Sequence, residues 1–327
     1  MLYIRNQSLD PHYNLALEEY VLKNLDPQES YILLWQNAPS VIIGRFQNTL
    51  EEINPEYIKE QGIHVVRRMT GGGAVYHDLG NLNFSFIEKT RDGKINFRKF
   101  TEPVIKALAQ MGVTAEDNGR NDITIDGKKF SGNAQYHFKG KTLHHGTLLY
   151  NAKLEDVQAA LRVRADKMAS KGVKSVRSRV TNIAEYLPRK ISLEEFRQQL
   201  LEDLFQGGPV QEYKLSQVDE QKIRQLMEEK YLTWEWNYGR SPAFNVVKKG
   251  RFAWGGIEIH LNVEKGLIQD CKIYGDFFSN QEMDSLEKQF CGVKFKAEDL
   301  AALLAQVELS QYFGPASREE FLELLTT

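Results

Sequence analysis

Apolar positions recur at helical spacing soon after the N-terminus. In "SLDPHYNLALEEYVLKNL", Tyr13, Leu17 and Val21 share one face, Asp10 is placed as an N-cap and Pro11 at the first helical position. Two short apolar runs follow, Tyr31–Trp35 and Val41–Ile43, separated by "QNAPS", and they read as buried strands. "NPEYIKEQGI" predicts a short helix ending at Gly62, "HVVRR" another strand, and "NLNFSFIEK" alternates with Leu82, Phe84 and Phe86 on one face. Helices are expected over 100–111, 153–163, 191–206 and 216–230. "YGRSPAF", Tyr238 to Phe244, has the composition of a linker. The division that follows is 1–240 as a large unit, 241–246 as connector, and 247–327 as a small one with a few strands and two helices.

The segment "VVRRMTGGGAVYHDLGNLNFSF" interrupts this pattern with three consecutive glycines, Gly71 to Gly73. Glycine inside a strand-like stretch costs conformational entropy and gives nothing to packing. The triplet is therefore either a loose loop or a place where main chain comes close to something else. It is neither a Walker A loop nor a GxGxxG fingerprint. A glycine turn still lets backbone N–H groups approach an anion. Arg67 and Arg68 precede it and, on an extended strand, point to opposite faces, so only one can line a given pocket.

A second constellation is "NDITIDGKKFSG", with Asp126-Gly127 as a two-residue hairpin turn. The simplest register pairs Thr124 with Lys129, Ile123 with Phe130 and Asp122 with Ser131. One face then holds Asp122, Thr124, Lys129 and Ser131, the other Ile123, Ile125 and Phe130. The polar face is either solvated or a cation-plus-acid site suited to a nucleotide and its magnesium. "RVRADKMASKGVKSVRSRV", Arg162 to Val180, carries seven Lys or Arg against one Asp and reads as a basic loop, a docking surface or a cover for phosphates. His144 and His145 are adjacent, hence on opposite sides of a strand, and do not make a metal site.

Charge is balanced, with 42 Lys and Arg against 44 Asp and Glu, which gives no global polycationic signature and argues against nucleic acid as partner. No apolar run is long enough to span a bilayer, and the N-terminus has no signal-peptide pattern. The expectation is a cytoplasmic protein without a membrane partner. The two cysteines, Cys271 and Cys291, lie far from the glycine segment and have no zinc spacing.

Six stretches in order, "RRMTGGGAVYHDLGNLNFSF", "GRNDI", "KKFSGNA", "HHGTLL", "SVRSRVTNI" and "RFAWGGIEIHLNVEKG", resemble lipoate–protein ligase A across both units. The resemblance implies an α+β fold of mixed, mostly antiparallel sheets with flanking helices, like the biotin/lipoate ligase catalytic core, and a small α+β accessory domain. It implies ATP-dependent formation of lipoyl-adenylate with Mg2+, then transfer of the lipoyl group to a lysine of a lipoyl-domain protein. Such acceptors include 2-oxoacid dehydrogenase E2 subunits and the glycine-cleavage H protein. By resemblance, Lys129 is catalytic and touches both lipoate carboxylate and phosphate. Arg68 binds phosphate. Gly73, Ala74, Val75 and Tyr76 lie along the nucleotide, so that the glycines let main chain pass where a Cβ would collide. Asn81 and Asp122 sit near ATP and the metal, with Asp122 the magnesium ligand. Trp35, Arg68, Thr70, Gly73, Val75, His77, Lys129 and Ser131 contact lipoate, and 171–182 matches a loop that orders over the adenylate. Thr70 stands where the family often has Ser, which keeps the hydroxyl and adds a methyl.

The related octanoyl and lipoyl transferases need a nucleophilic cysteine in the large domain, which this chain lacks. A cysteine-independent transferase-like protein and a non-catalytic lipoyl-domain-binding relative remain as alternatives. Biotin ligases carry a GRGRxG loop that is absent here.

Overall fold

The computed structural model describes residues 1–90, 95–119, 121–161, 180–238, 246–264 and 266–326. Its largest element is a seven-stranded sheet. In chain order its strands are β1 (Leu2–Arg5), β2 (Tyr31–Trp35), β6 (Asn81–Lys89), β7 (Glu116–Asp117), β8 (Asp122–Ile125), β9 (Lys128–Phe138) and β10 (Lys141–Leu149). Across the sheet they run β1-β2-β6-β10-β9-β8-β7. Only the β1–β2 pair is parallel. A second sheet, β4-β3-β5, is built from β3 (Ser40–Ile43), β4 (His64–Arg67) and β5 (Val75–His77), with β3 parallel to β4 and antiparallel to β5. The two apolar runs Tyr31–Trp35 and Ser40–Ile43 thus enter different sheets.

One face of the large sheet carries Ile32, Leu34, Leu82, Phe84, Phe86 and Phe130 against α4 (Arg98–Gln110) and α6 (Leu193–Leu204). The opposite face meets α1 (Pro11–Asn24), which has the expected Asp10 cap and Pro11 start. Because both faces are covered, the polar members of the alternating run, Asn83 and Ser85, are buried as well. α3 (Pro55–Gln61) ends at Gly62 in the left-handed region, φ 62°. α5 is Leu154–Ala160, and α7 (Gln217–Leu226) continues into one π turn, Met227–Tyr231.

Arg67 explains how the small sheet is locked. It is 1% exposed. Its guanidinium donates to the carbonyls of Gly44, Arg45, Gln47, Trp236 and Asn237 and to Thr49 Oγ1. One side chain closes the β3–α2 connection (α2, Thr49–Glu52) over α8 (Trp234–Asn237).

The C-terminal strands β11 (Val246–Phe252), β12 (Gly255–Glu264) and β13 (Leu267–Gly275) form an antiparallel meander. It packs on α9 (Met283–Phe290), α10 (Ala297–Gln306), α11 (Leu309–Phe313) and α12 (Arg318–Thr326). Phe46 of the large unit enters this core, stacking on Phe277 at 5.0 Å between centroids. The linker expected from "YGRSPAF" falls, from 239 onward, outside the described residues, as does 162–179 of the basic stretch.

Two outcomes are expected. Arg67→Met leaves buried carbonyls without a donor, so urea unfolding should show a loss of about 3 kcal/mol. His144 is held far below its ordinary value by burial among Phe84 and Phe100, with neighbouring His145 adding to the shift. The unfolded chain binds a proton there below about pH 6.5 and the folded one does not. Stability should therefore fall with pH from about 6.5 downward. In His144→Gln, the wild-type loss between pH 7 and pH 5 should shrink by about 2 kcal/mol.

Candidate active site

The cavity lies between the α1-facing side of the large sheet and the small sheet, closed above by the glycine turn. Its volume is about 120 Å³, and Arg68, Gly73, Val75, His77, Trp35 and Lys129 are among its lining residues. A wider, solvent-open depression over α4, about 1380 Å³, contains neither Arg68 nor Lys129.

Strand register orders the floor. Trp35 lies opposite Asn83, and Asn83 opposite Thr147. Thr147 Oγ1 accepts from the Gly132 N–H at 3.1 Å. Neighbouring strands are ~4.8 Å apart, so Trp35 and Gly132 mark ends roughly 14 Å apart.

The Lys129 end is cationic. Asp126 and Gly127 both have positive φ, 49° and 73°, and form the expected tight turn. Thr124 pairs with Lys129 as expected, but the register then shifts: Ile123 faces Ser131 and Asp122 faces Gly132. The simple register fails because a bulge accommodates Phe130, which is fully buried with Ile123 and Ile125. Ser131 therefore turns inward, fully buried and accepting from Asn133 Nδ2, and does not line the cavity. Gly132 takes the place expected for it. The Lys129 ammonium lies 2.9 Å from where a Cβ on Gly132 would stand, and 2.7 Å from Asp122 Oδ1. Lys129 O also accepts from the Thr181 N–H at 2.9 Å, so the chain leaving the basic stretch is tied to the lysine strand.

Arg68 is buried, and burial pulls its guanidinium down to about 10, opposed by nearby Glu18. It stays charged at neutral pH. Its Nη2 donates to the Gly71 and Gly73 carbonyls at 2.6 and 2.9 Å, Nη1 to Ile42 O at 3.1 Å, and Nε to Thr70 Oγ1 at 2.9 Å. The arginine shapes the turn from inside. Four of its five N–H bonds are thereby engaged, so a direct phosphate grip by the whole fork does not fit this arrangement.

Thr70 continues a buried chain. Its Oγ1 lies 2.7 Å from His145 Nε2, and His145 Nδ1 lies 3.0 Å from Glu18 Oε1. Glu18 also accepts from Ser85 Oγ at 2.5 Å, and Ser85 accepts from Trp35 Nε1 at 2.8 Å. A carboxylate only accepts, so Nδ1 carries the imidazole proton, Nε2 accepts from Thr70, and Thr70 oxygen is free to accept from Arg68. The order Glu–His–Thr copies a hydrolase triad, but Thr70 is fully buried and does not line the cavity. Its hydroxyl is a link rather than a nucleophile. Adjacent histidines pointing to opposite faces held as expected. His145 faces the cavity and His144 the aromatic core, a choice that adjacency in the sequence does not decide.

The three glycines have different reasons. A Cβ on Gly71 would stand 2.4 Å from Phe277 O, and Gly72, at φ +89°, donates its N–H to that same carbonyl at 3.1 Å. Gly71 thus makes room for residues 277–278 of the C-terminal unit, not for a ligand. Gly73 has nothing within 4 Å of its Cβ position and lines the cavity with Ala74 and Val75. Alternation along β5 turns Val75 and His77 inward. It turns Tyr76 outward, where its hydroxyl lies 3.4 Å from Asp156. Asn81 is fully buried, donates to Asn83 Oδ1 at 2.9 Å and does not line the cavity. Contacts across the two units continue with Arg45 to Glu282 at 2.5 Å and Tyr136 to Glu282 at 3.1 Å.

Among the described residues no three His, Cys, Asp or Glu side chains cluster as a metal site, and no helix is long and apolar enough to cross a membrane. Cys271 is buried in the C-terminal core and its thiol is pushed well up by that burial; Cys291 is exposed. Neither lines the cavity.

The family described as lipoyl protein ligase A/B catalytic domain matches residues 10–205, and that described as bacterial lipoate protein ligase C-terminus matches 241–325. Lipoate-protein ligase LplJ of Bacillus subtilis is 52% identical over 99% of this chain and 100% of its own length. Among solved structures, P. falciparum LipL1 in complex with lipoate has a TM-score of 0.80 at 27% identity, covering 98% of this chain and 97% of that one. Lipoate-protein ligase A bound with ATP has a TM-score of 0.65 at 31% identity over 73% and 98%. A bi-partite lipoate protein ligase from Thermoplasma acidophilum, described with its E2 lipoyl domain, has 0.66 at 32% over 75% and 98%. With more than half its length matched by one family and nearly all of it by a relative above half identity, the chain belongs to the lipoyl protein ligase A/B family and carries that family's bacterial C-terminal unit.

Proposed function

We propose that this protein is a lipoate–protein ligase. Lipoate attacks the α-phosphorus of ATP through a carboxylate oxygen, pyrophosphate leaves, and the lysine amine of a lipoyl-domain protein then attacks the acyl carbon and releases AMP. The observation that carries this reading is the shared cavity of Arg68 and Lys129 beside the open Gly73 main chain. A carboxylate and a triphosphate repel each other, and fixed positive charge in a partly desolvated site offsets that repulsion. Lys129 is the more exposed member, held by an ion pair to Asp122, and it is assigned the contact with both anions. Arg68 contributes charge and the shape of the turn; Gly73, Ala74 and Val75 offer main chain along the nucleotide. Trp35, Val75 and His77 wall the tail end, where burying an aliphatic chain contributes ~0.8 kcal/mol per methylene.

Magnesium fits as a cation carried in by the triphosphate, for which proteins commonly supply only one or two carboxylates. Asp122 is the available one, and it would exchange its Lys129 contact for that role. Residues 1–240 are assigned the chemistry, 241–246 the connection and 247–327 an accessory role. The family's lipoate-bound and ATP-bound members support the two substrates, and the archaeal relative supports an E2 lipoyl domain as acceptor class. A thioester route has no cysteine at the cavity to use.

The test is lipoate-dependent exchange between pyrophosphate and ATP with magnesium present. The unaltered protein should catalyse it. Lys129→Ala should lower the rate by roughly a hundredfold or more while circular dichroism stays unchanged. Retained exchange in that variant would show that the charge is supplied elsewhere.

A further inference from the structure

Two buried polar side chains at the Trp35 end of the cavity each keep an atom with no partner. His77 is 3% exposed and Asn83 2%. His77 Nε2 and Asn83 Nδ2 are unpartnered, and both residues line the cavity. Buried polar atoms are nearly always satisfied, so two such atoms on one cavity wall point to a ligand that satisfies them.

The proton on His77 can be placed from its neighbours. Asn14 Nδ2 donates to the carbonyls of Ser8 and Gln36 and to Asn37 Oδ1. Asn37 therefore presents its Nδ2 to His77 Nδ1, at 3.0 Å. Nδ1 accepts, so the proton of the neutral ring lies on Nε2, on the far side of the ring from Asn37. Asn83 Oδ1 accepts from Asn81, which leaves its amide N–H groups for the cavity. His77 packs edge-on to Trp35 with centroids 6.2 Å apart, and Trp35 is the cross-strand partner of Asn83. Both donors therefore neighbour Trp35, at the end of the cavity away from Lys129.

We propose that His77 Nε2–H and Asn83 Nδ2–H read the tail of the acyl substrate and select one bearing a polarizable acceptor, the ring sulfurs of lipoate, over a saturated hydrocarbon end. This rests on the ligase reading above, since the cationic end fixes which way the acid enters. A purely apolar pocket discriminates weakly between chains of similar shape, whereas buried donors left unpaired by the wrong substrate discriminate more strongly.

The decisive comparison uses the unaltered protein and two acids of like shape, lipoate and 5-cyclopentylpentanoate, in which both sulfurs are replaced by methylenes. Pyrophosphate exchange gives kcat/KM for each. Lipoate should be preferred by roughly tenfold or more. In Asn83→Leu and His77→Phe, measured separately, the ratio of the two values should fall by roughly three- to tenfold. Equal use of both acids by the unaltered protein would overturn the inference. So would a ratio unchanged in the variants, because ordered water would then be serving the two atoms. If neither acid supports exchange, the ligase reading itself fails, which is a separate result.

Discussion

A buried guanidinium wrapped in main-chain carbonyls is the constraint on which the site depends. Among the described residues Arg68 has no carboxylate in contact; its charge is met by the carbonyl dipoles of Ile42, Gly71 and Gly73 and by the Thr70 hydroxyl. Removing a cation from water without direct compensation is costly. The turn therefore has to curl around it, and the glycines permit the curl. Glu18, whose carboxylate acts on this charge, is linked to it through His145 and Thr70. In consequence, the shape of a loop depends on helix α1, on strand β10 and on the small sheet at once.

Two sheets meeting over one cavity give the site its polarity. Across the floor, the strands step from an indole and two unpartnered donors to an ammonium over a glycine. The C-terminal unit adds a boundary at the glycine turn, through the Phe277 carbonyl and the Arg45–Glu282 pair. The same stretch of backbone thus touches the cavity on one side and the second unit on the other.

Much of the scaffold was legible because local rules govern it. Asp10-Pro11, Gly62 and Asp126-Gly127 each mark a boundary by backbone chemistry alone. The site was legible in its cations, because opposite strand faces meant that only one of Arg67 and Arg68 could enter the pocket. Which partners each would find was not legible. Arg67 binds carbonyls brought entirely from distant parts of the chain, and Arg68 adds the distant Ile42 carbonyl to those of its own turn; no local pattern reports the distant ones. The bulge at Phe130 also escaped, since one extra residue in a ladder is a tertiary accommodation to a buried aromatic ring. His145 and Asn83 looked like ordinary strand residues. Only the covering of both sheet faces, a property of the whole fold, makes their polarity informative.

The glycines surrounding the cavity have a genetic consequence. At Gly44 a Cβ would lie 1.9 Å from the Gly72 carbonyl oxygen, and at Gly146 it would lie 2.2 Å from Asn133 Oδ1 and 2.6 Å from the Phe84 ring. Every missense change of a glycine codon adds at least that one carbon, so these positions offer no tolerated first step. Drift and selection can reach the chamber only through its side-chain-bearing walls. New acyl preferences in descendants of this protein should therefore arise at places such as Trp35, Val75 or Asn83, while the bare backbone around them stays unaltered.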